Sequence, residues 1–403
     1  MANYTYSDDP DSAVKNKLGA VTQDELEKRE AKYVAARIVE IANSNSPSGQ
    51  FDAEHLKEIH HHLFQDIYEW AGRTRDEKVQ LSDGTVASEP LLRKVDGSPF
   101  MVGRRIPDAL DAIADRLRDA NYLQGLPREE FAERAADIMA DLNAAHPFRE
   151  GNGRTQRIFM CELATEAGHH LDFSVVSRER MIQASIAANE QGDNTMMRRM
   201  FNEISDPERV AALIPAIEFL ERQGFPWNDR YVATMEPGDP VEVTLAGIAG
   251  EHFMARTGAD ILVGKTSDLP NPRPERGELL RVEPSRWSEF DLTRPALAIL
   301  DAVTGVVESL CDFVLDFLTG GSAKPSLSSD QIERIMEQRR AHAALERIAD
   351  AMERGESLSA SDIRHLTPTH LENIRLRGDD YMRQLIEDIN RDRQRDRDGE
   401  WER

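Results

Sequence analysis

Basic residues, aromatic rings and cysteines are all scarce in this chain. It has 50 lysines and arginines against 73 acidic residues, a net charge of −23 at pH 7, and that imbalance argues against a nucleic-acid-binding surface. Aromatics make up only 6% of the residues and charged side chains 31%, which suits a soluble, helix-rich protein. The 2 cysteines, Cys161 and Cys311, lie far apart in helical patterns. They offer no disulfide framework and fit the reduced thiols of a cytosol. "MANYTYSDDPDSAVKNK" has no apolar stretch behind a basic start, so no secretory signal is expected.

One apolar run, residues 296–318, is long enough to raise the question of a membrane span. Asp301, Glu308, Asp312 and Asp316 within it follow one another at spacings that draw a single acidic stripe on a helix. A charged residue at the centre of a span costs about 2.5–3.5 kcal/mol. An amphipathic helix that docks on a partner or folds back is therefore expected, and no span.

At 403 residues the chain is too long for one ordinary core, so two or three domains are expected. Residues 24–45 read as a charged helix. A second helix starts at the N-cap candidate Asp52, with Leu56, Ile59, Leu63, Ile67 and Trp70 on one face and Gly72 as terminator. Within it His60, His61 and His62 are adjacent, so they point in different directions and cannot share a metal. Residues 78–103 lack helical period and predict a β-hairpin or irregular flap, with "DGSPFMVG" as its far strand or tip. Helices resume at Pro107, with Ile106, Leu110, Ile113 and Leu117 in register. Another begins at Arg128, where Phe131, Ala135, Ile138, Leu142 and Ala145 form a stripe that leads straight into His146. A helix ending at Gly168, one after Ser177 and one over residues 195–204 complete the helical part. Composition changes near residue 224, and short β-rich bursts broken by Gly and Asp then predict a small barrel or sandwich. Beyond it the chain is helical again and ends in the charge-dense "RDRQRDRDGEWER".

The chemistry concentrates in "HPFREGNGRTQR", residues 146–157. It lies between two helices, so its end is a helix N-terminus, where unpaired N–H groups and the positive dipole favour an anion. Gly151 and Gly153 let the backbone turn sharply and lie close to a ligand as an anion-binding nest. Asn152 between them can donate an amide hydrogen bond to a phosphate oxygen. Arg154 and Arg157, three apart, are expected to share a face and present guanidinium forks to the outer phosphates. Glu150 offers hard oxygens suited to Mg²⁺ bridging two phosphates. His146 can take a proton from an attacking hydroxyl near neutral pH. Phe148 reads as a core anchor, Pro147 as a stiffener, and Arg149 as a solvated side chain without a role. Together these parts suit phosphoryl or nucleotidyl transfer.

"HPFREGNGRTQR" resembles the active-site signature of the Fic family, with every defined position filled, and "LKEIHHHLFQDIYEWAGRTR" resembles that family's other hallmark segment. The resemblance covers roughly residues 24–205 and implies a mainly α protein: an all-helical Fic fold with a β-hairpin flap. It also implies transfer of AMP from ATP to a protein hydroxyl with release of pyrophosphate. His146 would be the base and Glu150 the Mg²⁺ ligand. Gly151, Asn152 and Gly153 would hold the α- and β-phosphates, and Arg154 and Arg157 the outer ones. Ser98, Pro99, Phe100 and Met101 would pin a target segment by strand addition. "GEHFMARTGADILVGKTSDLP" is similar to the OB-like β-barrel domain that follows the Fic core in effectors delivered by type IV secretion. The expected layout is a catalytic domain over residues 1–223, an OB-like domain over 224–291 and a helical C-terminal region over 292–403.

Related Doc kinases replace the second glycine with lysine and lack the final arginine. Gly153 and Arg157 are both present here, which favours adenylylation over phosphorylation. A catalytically idle Fic fold serving as a binding or delivery module is a third reading, but it has no need of an intact base, metal ligand and both arginines. Many Fic proteins carry an inhibitory Ser/Thr-x-x-x-Glu-Gly/Asn helix. Here Glu150-Gly151 and Glu372-Asn373 are preceded, four residues back, by His146 and Pro368, so neither matches. The resemblance therefore implies a small separate antitoxin that donates such a helix. It leaves open whether the chain acts in the producing cytoplasm or in a recipient cell reached by a type IV system.

Overall fold

The computed structural model describes residues 4–7, 12–42, 46–93, 100–238 and 240–287, all of which lie in one structural unit. Ser98 and Pro99, residues 296–318 and the charged tail fall outside these residues. Among the described residues no helix is long and apolar enough to cross a membrane.

The helical part runs α1 (Gln23–Glu40), α2 (Ala53–Phe64), α3 (Ile106–Asp119), α4 (Arg128–Ala145), α5 (Asn152–Ala167), α6 (Arg178–Gln191), α7 (Thr195–Ile204) and α8 (Pro207–Arg222). At its centre is α4. Phe131, Ala135, Ile138, Leu142 and Ala145 are all buried on it, and α3, α5, α6 and α7 pack around it. Its small residues let neighbouring helices approach closely, and the stripe that buries them carries the chain to His146.

Asp52 caps α2 as expected, its carboxylate accepting the His55 N–H at 2.9 Å. The helix stops earlier than its periodicity suggested, at Phe64 and not near Gly72. Ile67 and Trp70 are still fully buried, but in turns: the N–H groups of Ile67 and Tyr68 both reach back to the Phe64 carbonyl at 2.9 Å. A turn folded onto the core buries the same residues that a helix would, so the apolar pattern continued past the true end. The helix α8 was not anticipated at all. Asp206 caps it, accepting the Glu208 N–H at 3.0 Å, and Pro215 lies inside it. Burial of Leu213, Ala216, Ile217 and Leu220 outweighs the lost hydrogen bond at the proline.

The flap region contains a minimal antiparallel hairpin, β1 (Val79–Gln80) with β2 (Val86–Ala87). Among the described residues its far strand is Val86–Ala87, while the first four residues of "DGSPFMVG" lie outside the described residues. Phe100 from that segment donates its N–H to the Leu92 carbonyl at 2.9 Å.

The β-rich part is a five-stranded sheet of β3 (Val232–Thr234), β4 (Val241–Ala249), β5 (His252–Thr257), β6 (Asp260–Lys265) and β7 (Leu279–Val282), ordered β3-β6-β5-β4-β7. All pairs are antiparallel except β3 with β6. Met235, Val243, Leu245, Phe253, Ala255, Leu280 and Val282 form its core. Gly264 is required there, since a Cβ would lie 2.6 Å from the Phe253 ring.

Helices and sheet are joined by buried charge. Glu203 on α7 is completely buried. It accepts from Arg180 on α6, from Arg209 on α8 at 3.2 Å and from the Thr234 N–H of β3 at 2.6 Å. Burial by itself would raise the Glu203 carboxyl, but Arg180 and Arg209 beside it, with Thr234, hold it below its ordinary value. Glu203→Ala would leave the buried Arg180 guanidinium without its carboxylate and Arg209 with Glu236 alone, at a cost of about 3–5 kcal/mol. Urea unfolding at neutral pH should show that loss, and a change below ~1 kcal/mol would show that the network is not a structural tie.

Candidate active site

The 146–157 segment comprises the turn after α4, residues 146–151, and the start of α5, which begins at Asn152. His146 caps α4 in the left-handed region, at φ 43°, a conformation few non-glycine residues adopt. Its N–H still reaches the Leu142 carbonyl at 3.0 Å. Its own carbonyl accepts from Nε of Arg75 at 2.8 Å. Arg75 is fully buried and donates also to the carbonyls of Glu89 at 3.3 Å, Pro90 at 3.2 Å, Ala145 at 3.5 Å and Met101. Burial pushes its pKa down despite Asp76 and Glu89 nearby. The carbonyl dipoles, two of them from the negative end of α4, take the place of a direct carboxylate partner. On the other side the Phe100 ring lies flat on the His146 ring, with centroids 3.8 Å apart. The half-exposed imidazole is thus fixed through its backbone and through one face.

Phe148 anchors the turn as expected. It is fully buried and stacks on His60 at 3.9 Å. Asn152 is engaged within the loop. Its Oδ1 accepts the Phe148 N–H at 2.9 Å and its Nδ2 donates to the Phe148 carbonyl at 2.8 Å, so the side chain braces the turn. Gly151 sits at φ 84°, and a Cβ there would lie 2.4 Å from the Phe64 ring, so both conformation and space demand glycine. It leads into α5, which no side chain caps. The first N–H groups of such a helix point at whatever lies before it.

The two arginines have different neighbours. Arg157 lies over the exposed Gly153, whose nearest neighbour for an added Cβ is Arg157 Nη2 at 3.9 Å. Arg154 turns inward, with its guanidinium over the Phe64 ring at 4.7 Å, paired with Glu30 of α1 and 3.6 Å from Glu150. A buried carboxylate from a distant helix decides this, and nothing within twelve residues could reveal it. Arg149 also departs from expectation: its Nε is 2.5 Å from Glu89, an ion pair that ties the turn to the base of the flap.

Glu150 keeps its side chain at the surface, 41% exposed, with Oε1 accepting the Gly151 N–H at 3.0 Å. Among the described residues no group of three His, Cys, Asp or Glu side chains gathers to hold an ion. A single exposed carboxylate beside an anion cradle still fits Mg²⁺, which is commonly held by one or two carboxylates together with substrate phosphates.

The three consecutive histidines go to three places. His61 Nδ1 lies 3.3 Å from the Ala71 carbonyl and His62 Nε2 lies 3.3 Å from Glu40. His60 is fully buried. Its Nδ1 accepts the Gly72 N–H at 2.8 Å, so the proton sits on Nε2, which donates to the Glu150 carbonyl at 3.0 Å. Burial drives its pKa down to about 3, which keeps it neutral. The unfolded chain takes up this proton as pH falls below 6.5 while the folded chain does not. Stability is therefore intact above that pH and declines from there toward pH 3. Between pH 7 and pH 5 the loss traceable to His60 should be about 2 kcal/mol. Chemical unfolding of the wild type and of His60→Gln at both pH values measures it. An identical acid loss in the variant would show that His60 does not carry it.

Residues 50–164 match the family model described as Fic/DOC. A protein adenylyltransferase of Bartonella henselae is 34% identical over 271 residues, covering 67% of this chain and 49% of the relative, so the chain spans about half that protein's length. A probable protein adenylyltransferase of Sinorhizobium fredii is 32% identical over 46% of this chain and 91% of the relative. The solved structure of the type IV secretion system effector protein BepA superposes with a TM-score of 0.65 at 32% identity, covering 71% of this chain and 97% of that one. A relative matched over nearly its whole length, and a solved fold matched the same way, complete what the turn and its two helices indicate: the chain belongs to the Fic/DOC family.

Proposed function

We propose that this protein is an adenylyltransferase that moves AMP from ATP to a hydroxyl side chain of a target protein. The observation that carries the reading is the 146–157 turn itself. It places a half-exposed histidine at the end of one helix and an uncapped helix start, fronted by Gly151, at the beginning of the next. The relatives named as protein adenylyltransferases support the same reaction.

In this reading the target hydroxyl oxygen forms a bond to the α-phosphorus, and the bond from that phosphorus to the bridging oxygen of the β-phosphate breaks. The hydroxyl proton goes to His146, and pyrophosphate leaves. The backbone from Gly151 to Gly153 and the start of α5 bind the phosphates as a preorganised donor array. Arg157 reaches the outer phosphates, and Arg154 backs the cradle from inside. Glu150 would hold Mg²⁺, which supplies charge neutralisation on the phosphates. The target segment would lie along the flap near Ser98, Pro99, Phe100 and Met101, with the Phe100 ring stacked on the His146 imidazole. The layout read from the sequence, a catalytic part over 1–223, an OB-like part over 224–291 and a helical region over 292–403, belongs to the same proposal. So does an effector or toxin role, with delivery by a type IV system and a separate antitoxin that supplies the inhibitory helix this sequence lacks.

Incubation with ATP labelled on the α- or the γ-phosphate separates the chemistries. Transfer of the α-label supports this reading, and transfer of the γ-label alone would make the chain a kinase. His146→Ala should lower transfer by about 10²–10⁴-fold, the usual worth of a general base, while affinity for a non-hydrolysable ATP analogue stays within a few-fold. Arg157→Ala should weaken that affinity by about 1.5–3 kcal/mol, as for a lost charged hydrogen bond. Equal loss of nucleotide binding in both variants would remove His146 from the role of base.

A further inference from the structure

Behind the anion cradle, α1 buries a carboxylate for which the proposed reaction has no direct use. Glu30 lies on a helix upstream of the segment that matches the family model and is 6% exposed. One of its oxygens accepts from Arg154 Nη1. The other accepts from the hydroxyl of Tyr68, whose ring is stacked on Trp70 at 4.2 Å. Burial keeps that phenol protonated, with a pKa well above its ordinary value, so it serves Glu30 as a donor. The second terminal nitrogen of Arg154 is 3.6 Å from Glu150 Oε1. A single guanidinium thus stands between two carboxylates, one dry and in close contact, the other looser and 41% exposed.

The arrangement has a consequence in charge. Arginine does not give up its proton in a protein, and a buried guanidinium left alone takes the nearest carboxylate. With Glu30 present, the inner pair is neutral and the charge of Glu150 remains for another partner. Without Glu30, Arg154 would turn its full charge on Glu150, the residue read above as the metal ligand. We propose that Glu30 is a positioning residue that occupies Arg154 and so leaves the Glu150 carboxylate available to Mg²⁺ on the nucleotide phosphates. This rests on the reading of Glu150 given under the proposed function.

The readout is the factor by which Mg²⁺ strengthens binding of a non-hydrolysable ATP analogue to the full chain. It is obtained by calorimetric titration in excess Mg²⁺ and in chelator, so it is independent of turnover. Glu30→Gln, close to isosteric, should cut that factor about 10-fold, the usual lower bound for loss of a residue that supports a metal ligand. Glu30→Asp, which keeps the charge but withdraws it by one methylene, should cut it by less and serves if Glu30→Gln does not fold. Affinity for the analogue in chelator should not fall in either variant, because the backbone cradle is left in place. An unchanged factor in a folded Glu30→Gln or Glu30→Asp protein overturns the proposal. So does a fall in chelator affinity as large as the fall in Mg²⁺, which would make the loss structural. Glu150→Ala distinguishes the levels: if it too keeps the wild-type factor, the metal-ligand reading fails, whereas loss there with no loss in the Glu30 variants removes only the role of Glu30.

Discussion

One guanidinium, that of Arg75, holds together the parts on which the rest of the site depends. Its donors reach carbonyls at the end of α4, at Glu89 and Pro90, and at Met101, which are three separate stretches of chain. Its backbone joins the same tie: the Arg75 N–H donates to the Pro147 carbonyl at 2.7 Å, and the Arg75 carbonyl accepts from Glu89 at 2.7 Å. A planar fork with fixed donor directions is suited to this, since it sets the orientation of each stretch as well as its distance. The left-handed turn at His146, the flap base and the ring of Phe100 against the imidazole all lie within its reach. Burying an arginine costs solvation, and that cost is offset here by the carbonyl dipoles it meets, with Asp76 and Glu89 nearby.

The same balance between burial and charge recurs at Glu203 and at Glu30. In each place helices bring a carboxylate into the interior and arginines from other elements meet it there. Near α7 the outcome is structural, joining α6, α8 and β3 around one side chain. Near α5 it bears on the site, because Arg154 belongs both to the turn and to the inner pair. His60 adds the neutral counterpart. Burial keeps its ring uncharged, its tautomer is set by the Gly72 N–H, and it supports the Glu150 carbonyl from the core side. The carboxylate read as a metal ligand therefore sits on a backbone fixed from within, while its side chain stays at the surface.

Much of the architecture was legible in the sequence because it rests on local rules. The stripe on α4, the cap at Asp52, the stop at Gly168 and the start after Ser177 follow from periodicity and capping chemistry, and the structure places them there. The elements that were misread are those where tertiary packing overrode a local signal. Ile67 and Trp70 stay apolar past the end of α2 because a turn can face the core as well as a helix can. The interior proline of α8 is tolerated because the helix is held by what it buries. The hairpin itself was expected, and its strands, Val79–Gln80 with Val86–Ala87, are too short for alternation to mark their ends.

The site divides along the same line. By itself the sequence determined the presence of a histidine, a carboxylate, a glycine-flanked turn and two arginines between two helices, because those residues are contiguous and their spacing carries the chemistry. Only the tertiary structure decided which way they face. Asn152 closes the loop onto Phe148, Arg149 pairs with Glu89, and Arg154 turns inward to a helix more than a hundred residues upstream. The two arginine outcomes depend on partners distant in sequence, Glu89 and Glu30. The direction of a long charged side chain is set by the nearest opposite charge in a dry place, and that charge is brought there by the fold.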